Sequence, residues 1–203
     1  MPFEIRVVKK EEKEVINQVV RIHIETFENF FLTFMGKGFL TQMYKSYCCH
    51  QHSTLLVAQN EQKEVVGFLS YSTNLSDLYK FMINKKLISF VWYSLGAFVR
   101  KPRIFMRLVR ALLKPGESVR HEKYVKLTSI GVSPRVKSKG IGSQLIDTMK
   151  SLVDFSEFEY ISLETDAENN DTVNKFYVKN DFILVKTYET KENRKMNEYR
   201  YEG

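Results

Sequence analysis

The sequence contains very little cysteine, and the few residues present cannot form a disulfide framework. Its only cysteines, Cys48 and Cys49, are adjacent, and neighbouring cysteines rarely bridge each other. Metal sites are also disfavoured, because the four histidines are scattered along the chain. His50 and His52 lie beside the cysteines, but no second ligand group follows at the spacing of a zinc site. We therefore expect neither disulfides nor a bound metal.

Long apolar runs are missing as well. The uncharged apolar stretch Leu87–Val99 has 13 residues, whereas a membrane-spanning helix needs about 20. The N-terminal residues MPFEIRVVKKEE contain no apolar signal-peptide core. We therefore expect a cytoplasmic protein. The sequence has no helix-turn-helix or aromatic RNA-binding signature, which argues against nucleic acid as a partner.

Two common nucleotide-binding motifs are absent too. A P-loop needs the spacing G-x-x-x-x-G-K-[ST], and the only similar segment, Gly36-Lys37-Gly38, lacks both that spacing and the hydroxyl. A Rossmann turn needs three glycines in the first βα unit. The chain's best candidate lies two-thirds of the way along and has Leu145 at the third glycine position.

The chain is long enough for one domain, and its charge is concentrated in one segment. It has 203 residues, of which 43% are hydrophobic, an ordinary value for a globular domain with a proper core. The net charge is +7. Residues 74–121 contain ten lysines and arginines against two acidic residues, so this segment carries +8 and the remaining chain −1. The basic character therefore belongs to one segment.

Residues 132–145, VSPRVKSKGIGSQL, form the most informative stretch of the chain. A strand is predicted to end at Ser133-Pro134, and a basic turn, Gly140-Ile141-Gly142 and an amphipathic helix follow. The first N–H groups of a helix have no internal acceptor and attract anions. Glycines allow close approach of the backbone, and lysines add positive charge. The turn therefore fits a phosphate-bearing ligand, although a plain strand–helix turn with solvated lysines has the same pattern.

Hydrophobic periodicity predicts an alternation of strands and helices. Gly131 is predicted to mark a β-bulge, because glycine inside a strand often does. A short helix should be capped by Asn169 or Asn170. The expected strands are Phe3–Val8, Thr54–Gln59, Glu64–Ser72, Lys123–Val132, Phe158–Thr165, Phe182–Glu189 and Met196–Tyr201. The expected helices are Lys10–Asn29, Phe30–Tyr47 with a break near Gly36, Gly140–Phe155 and Asn170–Lys179.

Two motifs in this order resemble the GNAT acetyltransferase superfamily. Lys137 stands at the Arg/Gln position of the family's cofactor loop, and Gly140 and Gly142 follow at the family's spacing. Downstream, Tyr177 follows Asn170 by seven residues, as in the family. Asp181 replaces a family glycine, a departure that the left-handed tolerance of aspartate makes acceptable. The resemblance covers residues 1–73 loosely and 122–203 well, but not the middle of the chain.

The resemblance implies a fold, a reaction and a set of cofactor contacts. The fold is α/β (α+β), one domain over 1–203 with a mixed central sheet of about six or seven strands flanked by helices. A helical insertion, 74–121, separates strands three and four. The implied reaction is the transfer of an acetyl group from acetyl-coenzyme A to a primary amine of a small acceptor, such as an amino sugar, in a ternary complex, without metal. The implied cofactor contacts are Ile130, Val132, Lys137, Ser138, Lys139, Gly140, Ile141, Gly142, Ser143, Asn170 and Tyr177.

The resemblance also implies catalytic roles. Tyr177 takes the place of the general acid that protonates the leaving thiolate, although its spacing with Val173 and Phe176 also fits a core tyrosine. Strand N–H groups near Ile130–Val132 would stabilise the thioester oxygen as negative charge develops. Asn170 either contacts the cofactor or caps its helix. A protonated amine needs a base, and the candidates are Glu164, Glu25, Glu28 or water.

The insertion has three interpretations. It is a lid over the acceptor site, an interfacial membrane element in which the apolar run and the basic helix Ile104–Leu113 contact anionic lipid, or a homodimer or core-packing extension. A basic lid would suit an anionic acceptor. The stretch His23–Leu40 faintly resembles bacterial family members associated with surface polysaccharides. A non-catalytic coenzyme A-binding module is the alternative to an enzyme, because Lys137 and Asp181 depart from the family pattern.

Overall fold

A seven-stranded mixed sheet runs through the residues that the computed structural model describes, which are 2–10, 12–27, 31–100, 122–136, 140–190 and 193–203, with backbone alone at 31 and 94–100. The strand order is β1-β2-β3-β4-β5-β7-β6. Neighbours are antiparallel except β4 and β5, which are parallel. The strands are β1 (Phe3–Val7), β2 (Ser53–Asn60), β3 (Val65–Ser72), β4 (Tyr124–Val132), β5 (Tyr160–Asp166), β6 (Ile183–Glu189) and β7 (Lys195–Tyr201). The predicted fold class is confirmed.

Helices flank this sheet. Their bounds are close to those predicted, apart from the helix Leu75–Arg100, for which only a helical insertion was expected. The stretch predicted as one helix with a break near Gly36 is divided there, because Gly36 has φ +91°, which glycine adopts without steric cost. Asp181 adopts φ +63°, the left-handed conformation expected for it. The helices are α1 (Lys13–Thr26), α2 (Phe31–Phe34), α3 (Lys37–Cys49), α4 (Leu75–Arg100), α5 (Ile141–Leu152) and α6 (Asp171–Lys179).

The sheet separates two hydrophobic clusters. Alternate residues of β2 point to opposite faces: Leu55 and Val57 join a cluster with α1, α3 and α4, whereas Leu56 and Ala58 join one with α5 and α6. Both faces of β2 and β3 are therefore covered, and β3 is buried along its whole length. This burial makes the sheet a rigid support for the residues at its edges.

The β-bulge in β4 lies at Thr128, so the prediction of a bulge at Gly131 is wrong. In the pairing of β3 with β4, Ser70 faces Ser129 and Tyr71 faces Leu127, which leaves Thr128 as the extra residue. The Thr128 hydroxyl donates to the carbonyl of Ser70 at 2.9 Å. Gly131 has a packing role instead, because a Cβ atom there would lie 2.8 Å from the Phe68 ring.

The two parallel strands pair only at their beginnings. Tyr124, Val125 and Lys126 of β4 face Tyr160, Ile161 and Ser162 of β5. The rest of β4 continues along β3 to Val132, while β5 continues along β7 to Asp166. The two strands therefore diverge and leave a gap between their C-terminal halves.

The insertion begins with α4, whose first turns pack on α3. Leu78, Met82 and Phe90 of α4 are buried, and the rings of Phe39 and Phe90 lie 4.9 Å apart. His50, at the end of α3, lies 3.1 Å from a carboxylate oxygen of Asp77. The described part of the insertion is thus a core-packing helix at its start, and the predicted Leu87–Val99 run lies inside it.

The opposite side of α4 is apolar but exposed. Ile88 is 85% and Trp92 70% exposed, and Leu87 and Val91 lie beside them on the same helix face. We call these four residues the α4 stripe. The predicted basic helix Ile104–Leu113 lies outside the described residues. Within the part of the chain that the structure covers, no helix has the length and hydropathy that a bilayer crossing requires.

Candidate functional site

A cavity of about 780 Å³ occupies the gap between β4 and β5. Its size is typical of small-molecule sites. Its wall is formed mainly by the end of α1, the second half of β4, the start of α5, the end of β5 and the face of α6, with Leu32 of α2 and Met196 of β7. The described lining residues include Thr26, Phe27, Leu127, Thr128, Ser129, Ile130, Val132, Gly140, Gly142, Ser143, Glu164, Asn170, Phe176 and Tyr177.

The start of α5 presents backbone amides to this cavity. The first helical hydrogen bond is donated by Gln144 to the carbonyl of Gly140 at 3.0 Å, so the amides of Ile141, Gly142 and Ser143 have no acceptor within the helix. Gly140 has φ +74°, a conformation that disfavours any residue with a Cβ. The side chain of Ile141 is buried in the core, so only its amide can face a ligand.

Gly142 is required by the close approach of α6. A Cβ atom at this position would lie 3.0 Å from the Phe176 ring and 3.8 Å from a methyl group of Val132. The glycine therefore lets the cavity wall close directly over the start of α5. Lys137, Ser138 and Lys139, the charged part of the predicted loop, lie outside the described residues, and their roles stay predictions.

The amides of Ile130 and Val132 face the gap. Ser133 N–H donates to the carbonyl of Val66 at 2.9 Å, and N–H groups alternate in direction along a strand. Gly131 therefore points toward β3, and Ile130 and Val132 point away from it. The carbonyl of Val132 accepts a 3.3 Å bond from the hydroxyl of Thr26, which agrees with this orientation. The divergence of β5 leaves these amides directed at the cavity.

Tyr177 lies on α6, where it is largely buried in the core and also lines the cavity. It is 6% exposed, and its ring contacts Phe176, Phe182 and Tyr199. Burial raises the pKa of the Tyr177 hydroxyl above its ordinary value, so the group stays protonated at neutral pH. No side-chain hydrogen bond of this hydroxyl occurs within the described parts of the chain. The core interpretation and the ligand interpretation are thus both compatible with its position.

Asn170 occupies the N-cap position of α6, but its side chain does not cap the helix. Its amide donates instead to the Thr165 hydroxyl at 2.8 Å and to the carbonyl of Asp166 at 3.1 Å. The prediction of side-chain capping is therefore wrong for Asn170, and Asn169 precedes the cap in a left-handed conformation with φ +55°. The local role of Asn170 is to fix the turn from β5 to α6 at the cavity edge.

The three candidate carboxylates have different positions. Glu164 lines the cavity and lies 3.0 Å from the ammonium nitrogen of Lys126. Glu25 pairs with Arg135 and lines a separate depression along α1. Glu28 lies outside the described residues. Tyr79 of α4 is partly buried, and burial together with the charge of Glu164 raises the pKa of Tyr79 to about 12.

His23 is a cavity residue that the sequence reasoning missed. His23 is one of the residues that line the cavity, although it is only 1% exposed. Burial lowers the pKa of the imidazole to about 4, so the ring is neutral at neutral pH. A signal was available, because His23 stands on the apolar face of α1 with Val19 and Val20, and a polar residue on such a face needs a partner.

Comparison with known proteins identifies the family. Residues 17–182 match the family described as "Acetyltransferase (GNAT) family", whereas no curated protein matches the sequence. The fold is similar to an N-acetyltransferase from Staphylococcus aureus, with TM-score 0.60 and 16% identity over 100% of this chain and 99% of that one.

Two further solved structures share the fold. A histone acetyltransferase HPA2-related protein from Corynebacterium glutamicum has TM-score 0.62 and 14% identity over 100% and 98% of the two chains. A Bacillus anthracis protein in complex with acetyl-coenzyme A has TM-score 0.60 and 12% identity over 100% and 99%. At these low identities the structural similarity shows the fold alone. The match of residues 17–182 to the family shows that the chain is a member. The chain belongs to the GNAT acetyltransferase family.

Proposed function

We propose that the chain transfers the acetyl group of acetyl-coenzyme A to a primary amine by direct transfer in a ternary complex. One observation carries the proposal: the α5 amides, the outward amides of β4 and the Tyr177 side chain line the same cavity. The Bacillus anthracis protein of similar fold was solved with acetyl-coenzyme A, which supports the choice of acetyl donor.

Different parts of the cavity wall suit the pyrophosphate and the amide-bearing arm of acetyl-coenzyme A. The amides of 141–143 and the positive end of α5 suit a pyrophosphate, and Lys137 and Lys139 would add charge beside it. The amides of Ile130 and Val132 suit the carbonyl oxygens of an extended amide-bearing arm, which would take the place that β5 leaves empty. A cavity between diverging strands thus provides backbone donors along its length.

Ile130, Tyr177 and Glu164, which line the cavity, suit the chemistry of acetyl transfer. A β4 amide near Ile130 can donate to the thioester oxygen, where negative charge develops. Tyr177 stays protonated and can donate to the departing sulfur. Because burial makes the phenol a weaker acid than usual, its hydrogen bond to the thiolate matters more than complete proton transfer. Glu164 is the proposed base, since it lines the cavity.

The direct test is the release of coenzyme A thiol in the presence of amines. We expect the full chain to consume acetyl-coenzyme A only when an acceptor amine is present, with acetylated amine formed in equal amount by mass spectrometry. Wild-type chain that binds acetyl-coenzyme A but acetylates none of a broad panel of aromatic, alkyl and sugar amines would indicate a non-catalytic binding module instead.

The α4 stripe favours a second property, contact with an anionic membrane surface. Ile88 and Trp92 are exposed on a helix inside the segment that carries +8. Exposed apolar side chains beside basic residues bind the boundary between headgroups and acyl chains, and tryptophan favours that boundary. This surface lies outside the cavity, so membrane contact is compatible with acetyl transfer.

We expect the chain to sediment with vesicles containing anionic phosphatidylglycerol and to bind pure phosphatidylcholine vesicles much more weakly. Trp92→Glu should reduce binding to the anionic vesicles by about tenfold or more. The change removes apolar area that would be buried in the membrane and adds a negative charge that anionic lipid repels. Ile183→Glu is the matched control, since Ile183 is 66% exposed on the edge strand β6. Equal binding by both variants would contradict a role for the stripe.

A further inference from the structure

His23 is held at the cavity wall by a cage of aromatic rings. The centroids of Phe27, Tyr44 and Phe68 lie 4.8, 5.7 and 6.3 Å from that of the imidazole. Phe68 and Tyr44 are fully buried, so the cage belongs to the rigid core beneath the cavity. The ring of His23 is therefore positioned by packing and has little freedom to turn away.

The two ring nitrogens of His23 have different surroundings. Nδ1 lies 2.6 Å from the hydroxyl oxygen of Tyr44, and that hydroxyl also interacts with Ser129. Nε2 is buried and has no hydrogen-bond partner among the described residues. The Thr33 hydroxyl is a similar atom, but Thr33 is not among the described residues that line the cavity. A buried polar atom without a partner is costly, so Nε2 is suited to a ligand.

The surroundings of His23 also favour an uncharged ligand. Phe27, Leu32 and Leu127 contribute apolar side chains to the wall, and the carboxylates of Glu164 and Asp166 are already paired with Lys126 and Arg194. Burial keeps the imidazole itself neutral. A setting that disfavours an imidazolium ion disfavours an ammonium ion for the same reason.

We propose that Nε2 of His23 accepts a hydrogen bond from the reacting amine of the acceptor, and that this acceptor is a weakly basic amine on an apolar body. The tautomer that does this carries its proton on Nδ1 and donates it to the hydroxyl oxygen of Tyr44. The amine lone pair is then left for the thioester. This inference rests on the proposed acetyl transfer and adds the substrate class and a specificity residue.

The substrate class is tested with 4-methylaniline and benzylamine, which match in size. At neutral pH the alkyl amine is almost wholly protonated, whereas the aryl amine is neutral. We expect kcat/KM to be about tenfold or more higher for 4-methylaniline. Benzylamine must first lose its proton, because the cavity disfavours an ammonium ion. A preference for benzylamine would overturn the proposed substrate class.

The role of His23 is tested with His23→Phe, which keeps an aromatic ring in the cage and removes both nitrogens. We expect KM for 4-methylaniline to rise about tenfold, the effect of one lost hydrogen bond, while KM for acetyl-coenzyme A stays unchanged. His23→Gln restores a hydrogen-bonding group and should recover part of the loss. His52→Phe is the control, because His52 is exposed and is not among the described residues that line the cavity.

The outcomes distinguish a failure of the proposed acetyl transfer from a failure of the role proposed for His23. Thermal melting and acetyl-coenzyme A binding first establish that each variant is folded. Wild-type chain that acetylates no amine contradicts the proposed function itself. An active wild type whose acceptor KM is the same in His23→Phe contradicts only the assignment of His23. A matching rise in both KM values would show a structural effect on the whole cavity and would also overturn the assignment.

Discussion

Gly142→Asp should abolish measurable binding of acetyl-coenzyme A. The new Cβ would lie 3.0 Å from the Phe176 ring, and the carboxylate would stand beside amides that are suited to phosphate. At an effective dielectric constant of about 20, a charge roughly 5 Å from a phosphate costs about 3 kcal/mol, or about a hundredfold in affinity. Isothermal titration calorimetry with acetyl-coenzyme A measures the loss.

Two other substitutions at this position separate charge from crowding. Gly142→Asn has the size of aspartate without its charge, and Gly142→Ala adds only the Cβ that meets Phe176. We expect affinity to fall in the order alanine, asparagine, aspartate, and the last step to shrink at high salt because charge interactions are screened. Full affinity in a folded Gly142→Asp chain would show that the phosphates bind elsewhere.

Tyr177→Phe should lower kcat by about a hundredfold, the lower end of the contribution of a general acid. The ring should keep its contacts with Phe182 and Tyr199, and no side-chain hydrogen bond is lost within the described residues. Stability and KM for acetyl-coenzyme A should therefore change little. Steady-state thiol release, measured over a range of acceptor concentrations, gives the two constants separately.

Tyr199→Phe provides the matched control for this substitution. The Tyr199 hydroxyl lies 2.9 Å from the side-chain oxygen of Asn174, so its removal should cost about 1 kcal/mol of folding free energy and leave kcat unchanged. If Tyr177→Phe keeps normal turnover, as expected for Tyr199→Phe, Tyr177 is a core residue and the thiolate has another proton donor.

Features with a local cause could be predicted from the sequence, and features decided by distant partners could not. Alternation and helical period depend on neighbouring residues, so the strands and the helices outside the insertion were predicted within a few residues. The Gly140 and Gly142 turn and the left-handed Asp181 also follow from local backbone preference. The bulge is different, because its place depends on the register between β3 and β4, which puts it at Thr128.

The same reasoning explains the errors at the site. Local preference predicted that Asn170 caps its helix, but its side chain instead hydrogen-bonds to Thr165 and to the carbonyl of Asp166 in the preceding turn. His23 was passed over because its partner Tyr44 lies 21 residues away on α3. Glu164 lines the cavity, but its pairing with Lys126 could not be predicted because it depends on the parallel register of β4 and β5.

The short junction between β4 and β5 makes the stability of this fold depend on ligand concentration. Two half-sheets meet there over three residue pairs, and any ligand bonded along the gap joins them further. Because only the folded chain has this gap, a ligand at 100 times its Kd adds about 2.7 kcal/mol to the free energy of unfolding. The opening in which we propose that the ligand binds is also a short junction of the sheet, and occupancy would strengthen it.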